Sequence, residues 1–186
     1  MAERADPRIK GFKSNKSPYR KFLYERYGYC NQFSSGKVIL DIPCGVGWGT
    51  SLVKNPKEIC GVDICAEAVQ YANDNYHGII FKVGNMTEIP FEEGKFDLVL
   101  CLEGYEHIDQ EKQVSFLGEA YRVLRDGGDM IITTPLGDGK KSKNPYHIHE
   151  PIQEELFDLL NKKFTIIDSS IVKGGDGDVI RCLVRK

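Results

Sequence analysis

The sequence lacks the features that mark membrane, secreted and nucleic-acid-binding chains. Within its 186 residues no apolar run approaches the roughly 18 residues that a membrane-spanning helix needs. Residues 1–6 are charged and hold no apolar signal-peptide core, so we expect a cytoplasmic protein. The net charge is −2, and this lack of positive excess argues against a nucleic-acid partner.

Cysteine pairs with metal or redox spacing are also missing. The six cysteines stand at positions 30, 44, 60, 65, 101 and 182, and none forms a C-x-x-C motif. Cys60 and Cys101 lie inside strand-like apolar runs, so we expect reduced, mostly buried thiols. Residues 1–16 are polar, so we expect a flexible N-terminus there. The length of the chain and the lack of an internal repeat indicate a single domain over residues 17–186.

Apolar runs and helical periodicity alternate along this domain. Strands are predicted at residues 37–42, 58–62, 79–83, 96–102 and 130–134, and helices at 17–29, 48–54, 65–75, 110–124 and 152–161. In the fourth helix, Val114 and Leu117 are expected on the buried face. Residues 164–172 and 178–184 are typical of a hairpin. The pattern predicts a doubly wound, mainly parallel, seven-stranded Rossmann-like α/β sheet that ends in an antiparallel hairpin.

Residues 38–63 carry the strongest signal for a ligand. An apolar run ends in Asp41, a turn with Gly45, Gly47 and Gly49 follows, and a second apolar run ends in Asp63. The glycines allow the backbone to approach a ligand closely because no Cβ intervenes. Asp63 lies 22 residues after Asp41, where such folds place the carboxylate that binds ribose hydroxyls.

The spacing of this turn separates two classes of nucleotide-binding enzyme. A dinucleotide fingerprint needs G-x-G-x-x-G, whereas the third glycine here comes one residue early. Asp41, directly before the turn, would repel a pyrophosphate but suits a cationic ligand. A sulfonium that carries an α-amino group meets this demand, so the pattern favours a methyltransferase over a dehydrogenase.

Motifs along most of the chain resemble those of class I S-adenosyl-L-methionine (SAM)-dependent methyltransferases. Gly84-Asn85-Met86 resembles the adenine-binding motif, and the segments that begin at Phe96, Glu106, Tyr121 and Thr133 resemble the later ones. More narrowly, Arg26-Tyr27, residues 40–50 and residues 144–150 resemble a bacterial subgroup of type-11 methyltransferases. Members of that subgroup are often linked to surface-glycan or sugar modification, which implies a small-molecule or glycan acceptor.

The resemblance also implies cofactor-binding roles. Asp41 and the turn at Gly45 and Gly47 would hold the methionine part of SAM, while Asp63 would accept the ribose hydroxyls. The remaining roles fall on Ile64 beside adenine, Asn85 and Met86 at the adenine edge, the Leu102 carbonyl at the SAM ammonium, and Arg26 or Tyr27 at its carboxylate. Two positions depart from the family: Pro43, usually Gly or Ala, removes a backbone donor, and Asn85, usually Asp, removes a charge.

The best candidate for a catalytic residue is His107. Methyl transfer to a hydroxyl needs positioning and removal of a proton, and His107 follows the fourth strand, near the expected methyl group. The alternative for His107 is a structural role. The reaction expected is O-methylation of a sugar, glycan or other small acceptor.

A metal-dependent alternative remains open. Glu103-Gly-Tyr-Glu106-His107 resembles the metal-binding E-x-x-E-H stretch of ubiquinone-pathway and small-RNA 3′-end O-methyltransferases, and His147 or His149 could supply a further ligand for a divalent metal. That alternative implies a catechol or an RNA 3′-end 2′-hydroxyl as acceptor. The favoured interpretation instead has Glu103 contacting SAM, Glu106 solvated and no metal. A non-catalytic SAM-binding regulator is a third possibility, and neither the acceptor's identity nor the oligomeric state follows from the sequence.

Overall fold

A computed structural model describes residues 18–173 and 177–186, so the flexible segment predicted at 1–16 lies outside the described residues. Seven strands form one sheet: β1 (Val38–Asp41), β2 (Glu58–Asp63), β3 (Ile80–Val83), β4 (Phe96–Leu102), β5 (Leu124–Pro135), β6 (Thr165–Lys173) and β7 (Asp178–Arg185). The helices are α1 (Pro18–Cys30), α2 (Ala66–Asn75), α3 (Gln110–Val123) and α4 (Gln153–Asn161).

The order of the strands creates the crevice in which a ligand is expected. The sheet runs β3-β2-β1-β4-β5-β7-β6, with β1 to β5 parallel and β7 antiparallel to both β5 and β6. This confirms the predicted fold class and hairpin. The chain reverses its direction of travel across the sheet between β1 and β4, and ligands of such sheets bind beyond the strand ends at that point.

Both faces of the sheet are covered, which explains the continuous apolar run of β4. Tyr27 and Cys30 of α1 pack with Leu98 and Leu100 on one face. Phe116 of α3 and other side chains of α3 and α4 pack on the opposite face. Successive strand residues point to opposite sides, so a strand buried on both faces shows no alternation of polar residues. None of the helices in the described part of the chain is long and apolar enough to cross a membrane.

Three details of the predicted elements are wrong. Residues 48–54 form only a 3₁₀ turn at Thr50–Leu52, in a segment where glycines and the following Pro56 disfavour a helix. Strand β5 begins at Leu124, not 130, because an irregularity between Phe96 and Leu98 lets Leu124 pair with β4. Val114 is exposed rather than buried.

The cysteines match the expectation. All six are free, and five of them are buried, with Cys65 partly exposed.

Candidate cofactor and acceptor cleft

A cleft lies beyond the carboxyl ends of β1, β2 and β4, with a volume of about 1210 Å³. Most of the predicted site residues line it: Arg26, Tyr27, Gly45, Asp63, Ile64, Asn85, Met86, Leu102 and His107. Two do not line it, because Asp41 is fully buried and Gly47 packs inward. The topology therefore brings nine of the eleven predicted residues to one cavity.

The glycines of the first turn have different physical roles. Gly45 has a φ of +54°, and a Cβ there would meet nothing within 4 Å. Gly47 has a φ of +76°, and a Cβ there would lie 2.7 Å from the Phe81 ring and 2.8 Å from Ala72. Gly45 thus leaves backbone open to a ligand, whereas Gly47 allows the turn to pack against α2 and β3.

Asp41 lies beneath the turn and is held by two hydroxyl donors. Tyr27 Oη donates to Asp41 Oδ2 at 2.8 Å, and Thr50 Oγ1 donates to the same oxygen at 2.6 Å. Asp41 Oδ1 is buried with no hydrogen-bond partner among the described residues. Burial raises the pKa of Asp41 to about 7, although the hydrogen bonds from Thr50 and Tyr27 act in the opposite direction.

The contact with Asp41 decides between the two residues expected at the SAM carboxylate. The only hydroxyl hydrogen of Tyr27 is used by Asp41, and burial raises the Tyr27 pKa well above its ordinary value. Arg26, by contrast, is partly exposed in the cleft and has several N–H donors. The geometry therefore favours Arg26 over Tyr27 for that contact.

Asp63 at the end of β2 is fixed by backbone donors. The Gly45 N–H donates to Asp63 Oδ2 at 2.8 Å, and the Cys65 N–H donates to Asp63 Oδ1 at 2.9 Å. A carboxylate oxygen has the capacity to accept more than one hydrogen bond. The next residue, Ile64, is 70% exposed and presents an apolar surface to the cleft.

In the turn after β3, the side-chain oxygen expected to bind adenine already accepts a hydrogen bond. Asn85 Oδ1 accepts from the N–H of Thr87 at 3.0 Å, so an adenine amino group would share this oxygen with the turn itself. Met86 is partly buried against the core.

The departure at Pro43 is accommodated by a glycine. A Cβ on Gly104 would lie 2.2 Å from Pro43 Cδ, so the turns after β1 and β4 are in close contact. Glu103, the residue before Gly104, has a φ of +56°. Its Oε2 lies 2.9 Å from Nη2 of Arg26, so the two side chains form an ion pair.

Glu106 is buried, which corrects the expectation that it is solvated. Its side chain is 1% exposed, and Thr134 Oγ1 donates to Glu106 Oε2 at 3.1 Å. Burial, and then the nearby charge of Glu103, raise the pKa of Glu106 well above its usual range. Burial therefore shifts Glu106 towards its protonated form relative to an exposed carboxyl.

The ring of His107 is oriented by the loop that follows β5. Nδ1 lies 3.0 Å from the carbonyl oxygen of Tyr146. A carbonyl only accepts, so in the neutral ring Nδ1 carries the hydrogen and Nε2 keeps its lone pair. Nε2 lies 3.9 Å from Glu106 Oε1. This arrangement leaves Nε2 able to receive a proton.

His147 belongs to the same cluster, but His149 does not. Ligand atoms of Glu106, His107 and His147 lie within 4.8 Å of one another. His147 Nδ1 lies 2.5 Å from Glu150 Oε1, and its Nε2 lies 3.0 Å from Asn144 Nδ2. His149 Nε2 instead contacts Glu155 Oε1 at 3.0 Å, away from the cluster.

The loop that carries these histidines is tied to the end of β4. The N–H groups of Ile148 and His149 both donate to the Glu106 carbonyl, at 2.8 and 3.2 Å. Gln113 Nε2 donates to the carbonyls of Tyr105 and His149, at 2.9 and 3.1 Å. The sequence analysis missed Gln113, since a buried glutamine on an apolar helix face has no motif of its own.

Three features of the cleft suit a ligand with the chemistry of SAM. Open backbone at Gly45 allows a ligand to approach, the unpartnered Asp41 Oδ1 adds negative potential beneath the turn, and Asp63 presents a carboxylate where a ribose is expected. A cationic adenosyl ligand therefore fits these residues. No feature in the described part of the cleft favours a dinucleotide, with its two phosphates, over such a ligand.

Comparisons with known proteins agree with this chemistry. Residues 39–128 match the family of methyltransferase domains. A probable S-adenosylmethionine-dependent methyltransferase of Mycolicibacterium smegmatis is 29% identical over 150 residues, which cover 77% of this chain and 58% of that protein. The chain thus spans somewhat more than half the length of this relative, and 46% of two probable S-adenosylmethionine-dependent methyltransferases of Mycobacterium tuberculosis.

Solved structures share the fold. The PH0226 protein of Pyrococcus horikoshii superposes with a TM-score of 0.76 at 17% identity, over 97% of this chain and 95% of that one. A 1,6-didemethyltoxoflavin-N1-methyltransferase of Burkholderia thailandensis with bound S-adenosylhomocysteine gives a TM-score of 0.73 at 20% identity, over 92% and 79%. The solved structures show that the fold is shared, and the sequence comparisons show that the chain is similar to SAM-dependent methyltransferases.

Proposed function

We propose that this chain transfers the methyl group of SAM to a hydroxyl oxygen of a sugar, a glycan or another small acceptor. The observation that carries the proposal is His107, whose Nε2 keeps its lone pair in the same cleft as Asp63 and Gly45. When bound, SAM supplies an electrophilic methyl group on a sulfonium. His107 Nε2 would accept the hydroxyl proton as that oxygen bonds to the methyl carbon, while the sulfur–methyl bond breaks and S-adenosylhomocysteine leaves.

The cofactor-binding roles expected from the resemblance are retained as part of the proposal. Asp63 accepts the ribose hydroxyls, Ile64 covers adenine, and Asn85 and Met86 border its edge. Leu102 lies at the amino acid end, and Gly45 and Gly47 shape the turn. Asp41 acts from beneath the turn, through its charge, rather than by direct contact, because it is fully buried.

A cytoplasmic location and a small-molecule or glycan acceptor complete the proposal. The six free cysteines support a reducing compartment. The partly exposed ring of Tyr146 at the rim of the cleft supports an acceptor with a flat sugar or aromatic face.

The test combines binding and turnover. Calorimetry measures the affinity for SAM, and mass spectrometry measures methyl transfer to a panel of sugars, glycan fragments, catechols and short RNAs. Tight SAM binding with transfer to a sugar hydroxyl supports the proposal. SAM binding without transfer to any acceptor would favour the non-catalytic regulator.

A metal-assisted O-methyltransferase is the second candidate, and the cluster of Glu106, His107 and His147 favours it. One carboxylate and two imidazoles suit a divalent metal, which would polarise the acceptor hydroxyl of a catechol or an RNA 3′ end. However, both ring nitrogens of His147 already have protein partners, so coordination would require Asn144 or Glu150 to give way. The proton-accepting role of His107 needs no such rearrangement.

A further inference from the structure

The loop that follows β5 brings three lysines to the cleft, and the scheme so far gives them no role. Lys140, Lys141 and Lys143 all line the cleft and are exposed. Lys140 Nζ lies 3.3 Å from Asp138 Oδ2, so its charge is already paired. Within the described part of the chain, no side-chain hydrogen bond or ion pair involves Lys141 or Lys143. Two ammonium groups are therefore left for a ligand.

The acidic side chains nearest in the chain to these lysines have other partners. Glu150 and Asp178, the first residue of β7, also line the cleft. Glu150 Oε1 accepts from Ser142 Oγ at 2.7 Å and lies 2.5 Å from His147 Nδ1. Asp178 Oδ2 lies 2.6 Å from Lys173 Nζ. The charge that this part of the cleft offers to a ligand is therefore positive, although the whole chain has a net charge of −2.

The loop that carries the lysines is held at its ends and in its middle. The Gly137 N–H donates to the Pro151 carbonyl at 2.9 Å, and a Cβ on Gly137 would collide with the Glu150 backbone. Ser142, between the two unpaired lysines, donates to Glu150 and accepts from the Asn144 N–H at 3.0 Å. Because Ser142 is fixed in this way, its two neighbours have defined positions in the chain beside the cleft.

The same loop also holds the proposed base. The Tyr146 carbonyl oxygen lies 3.0 Å from His107 Nδ1, and the N–H of Ile148 donates to the Glu106 carbonyl at 2.8 Å. A group bound by the lysines is thus attached to the segment that orients His107. This arrangement suits an acceptor that is bound at one end and methylated at the other.

We propose that the acceptor carries a phosphate group, which Lys141 and Lys143 bind while the hydroxyl to be methylated lies at His107 Nε2. This inference rests on the proposed function and names its substrate class, a phosphorylated sugar or another small phosphorylated alcohol. A phosphate monoester has a charge between about −1.5 and −2 at pH 7, which two ammonium groups balance. A carboxylate would balance only one of them. Lysine binds phosphate as a point charge on a flexible stem, so exposed positions suit this role.

The phosphate contact would position the reacting hydroxyl. Binding at a remote group restricts the acceptor before the reaction, and such positioning lowers the barrier to transfer. The proton acceptor and the phosphate-binding lysines remain separate groups, so a loss of phosphate affinity can be measured without any turnover.

Four probes separate the phosphate from the sugar that carries it. Glucose is neutral, glucuronate carries a carboxylate, glucose 6-phosphate carries the phosphate, and inorganic phosphate is the group alone. NMR titration of the full chain, saturated with S-adenosylhomocysteine, measures each dissociation constant for wild type, Lys141→Gln, Lys143→Gln and the double variant. Lys162→Gln, at an exposed position outside the residues that line the cleft, is the matched control. Thermal unfolding is recorded for every variant.

We expect wild type to bind glucose 6-phosphate more tightly than glucuronate, and glucuronate more tightly than glucose. The double variant should weaken glucose 6-phosphate by about 10- to 100-fold, the range for losing hydrogen bonds to a charged group, and should leave glucose within about twofold. Each single variant should lose part of this affinity, and Lys162→Gln should lose none. Raising the salt concentration should weaken glucose 6-phosphate in wild type far more than in the double variant.

The inference is overturned if wild type shows no preference for glucose 6-phosphate over glucose, or if the double variant and Lys162→Gln behave alike. Tighter binding of glucuronate would replace the phosphate with a carboxylate, and tighter binding of a short RNA would point to the RNA acceptor of the second candidate. Either result would also overturn it. These results leave SAM-dependent methyl transfer intact, whereas a wild-type chain that does not bind S-adenosylhomocysteine would contradict the proposed function itself.

Discussion

The Tyr27 hydroxyl donates to Asp41 Oδ2 at 2.8 Å, so the first helix holds the acid that ends the first strand. The ring of Tyr27 also lies where a side chain on Gly49 would be, since a Cβ there would approach Tyr27 Cε2 to 2.4 Å. One tyrosine thus couples α1, the glycine turn and the buried carboxylate beneath it. The stability of this junction depends on the charge of Asp41.

The first prediction concerns stability and pH. The Asp41 pKa of about 7 in the folded chain exceeds the ordinary value of 3.8, so the folded state holds a proton that the unfolded state releases. Stability from this group is complete below about pH 4 and is lost as the pH rises towards 7. The difference corresponds to at most about 4 kcal/mol.

Asp41→Asn should remove this contribution to the pH dependence, because a carboxamide does not ionise. Chemical denaturation of the ligand-free chain between pH 4 and 8 measures the free energy of unfolding of wild type and Asp41→Asn at each pH. Glu106 also has a raised pKa and titrates in the same direction, but it is common to both proteins. Parallel curves for wild type and Asp41→Asn would show that Asp41 does not carry this dependence.

The second prediction concerns the charge of Asp41 and the cofactor. Asp41→Asn should weaken SAM more than methylthioadenosine, because the ionised carboxylate stabilises the positive end of SAM from beneath the turn. Calorimetry at pH 8, where Asp41 is mostly ionised, compares the two ligands. Equal losses would mean that Asp41 only shapes the turn.

The third prediction tests Asp63. Asp63→Ala should weaken SAM by about 2–3 kcal/mol, the range for loss of a charge-assisted hydrogen-bonding partner. Because Asp63 also accepts from the Gly45 and Cys65 N–H groups, thermal unfolding must accompany the titration. SAM affinity within twofold of wild type in a folded variant would refute the ribose assignment.

The fourth prediction tests His107 as the base. His107→Ala should lower turnover by roughly 10²–10⁴-fold while the SAM dissociation constant changes little. His77→Ala, at an exposed position outside the residues that line the cleft, is the control and should keep full turnover. An unchanged rate in His107→Ala would assign the residue a structural role.

The fifth prediction separates the base from a metal site. We expect activity to survive a strong chelator, and Glu106→Gln to have a mild effect because a carboxamide resembles the protonated carboxyl, the form towards which burial shifts Glu106. A chelator-sensitive activity that Mg²⁺ or Mn²⁺ restores, with Glu106→Gln as damaging as His107→Ala, would establish the metal-assisted candidate.

The sequence predicted the sheet because local patterns and the right-handed crossover rule act together. Apolar runs ended by acids located β1 and β2, and parallel topology then brought Asp63, Leu102 and His107 to one edge. The predicted helices were less accurate, since residues 48–54 form only a 3₁₀ turn at Thr50–Leu52.

The contacts between distant segments could not be predicted from spacing. The pairing of Arg26 with Glu103 and the inward position of Glu106 depend on how α1 and the turn after β4 meet. Gln113 is buried where Val114 was expected to be, and its amide donates to the carbonyls of Tyr105 and His149. Such exchanges depend on hydrogen-bond partners that lie far away in sequence.

The most direct test of the central claim follows the methyl group itself. Wild-type chain is incubated with SAM labelled in its methyl carbon and with the acceptor panel, and the products are analysed by mass spectrometry and NMR. The account predicts S-adenosylhomocysteine and a labelled O-methyl group on a sugar or other small acceptor, with the label lost in His107→Ala. Label on no acceptor, or on nitrogen or carbon alone, would contradict it.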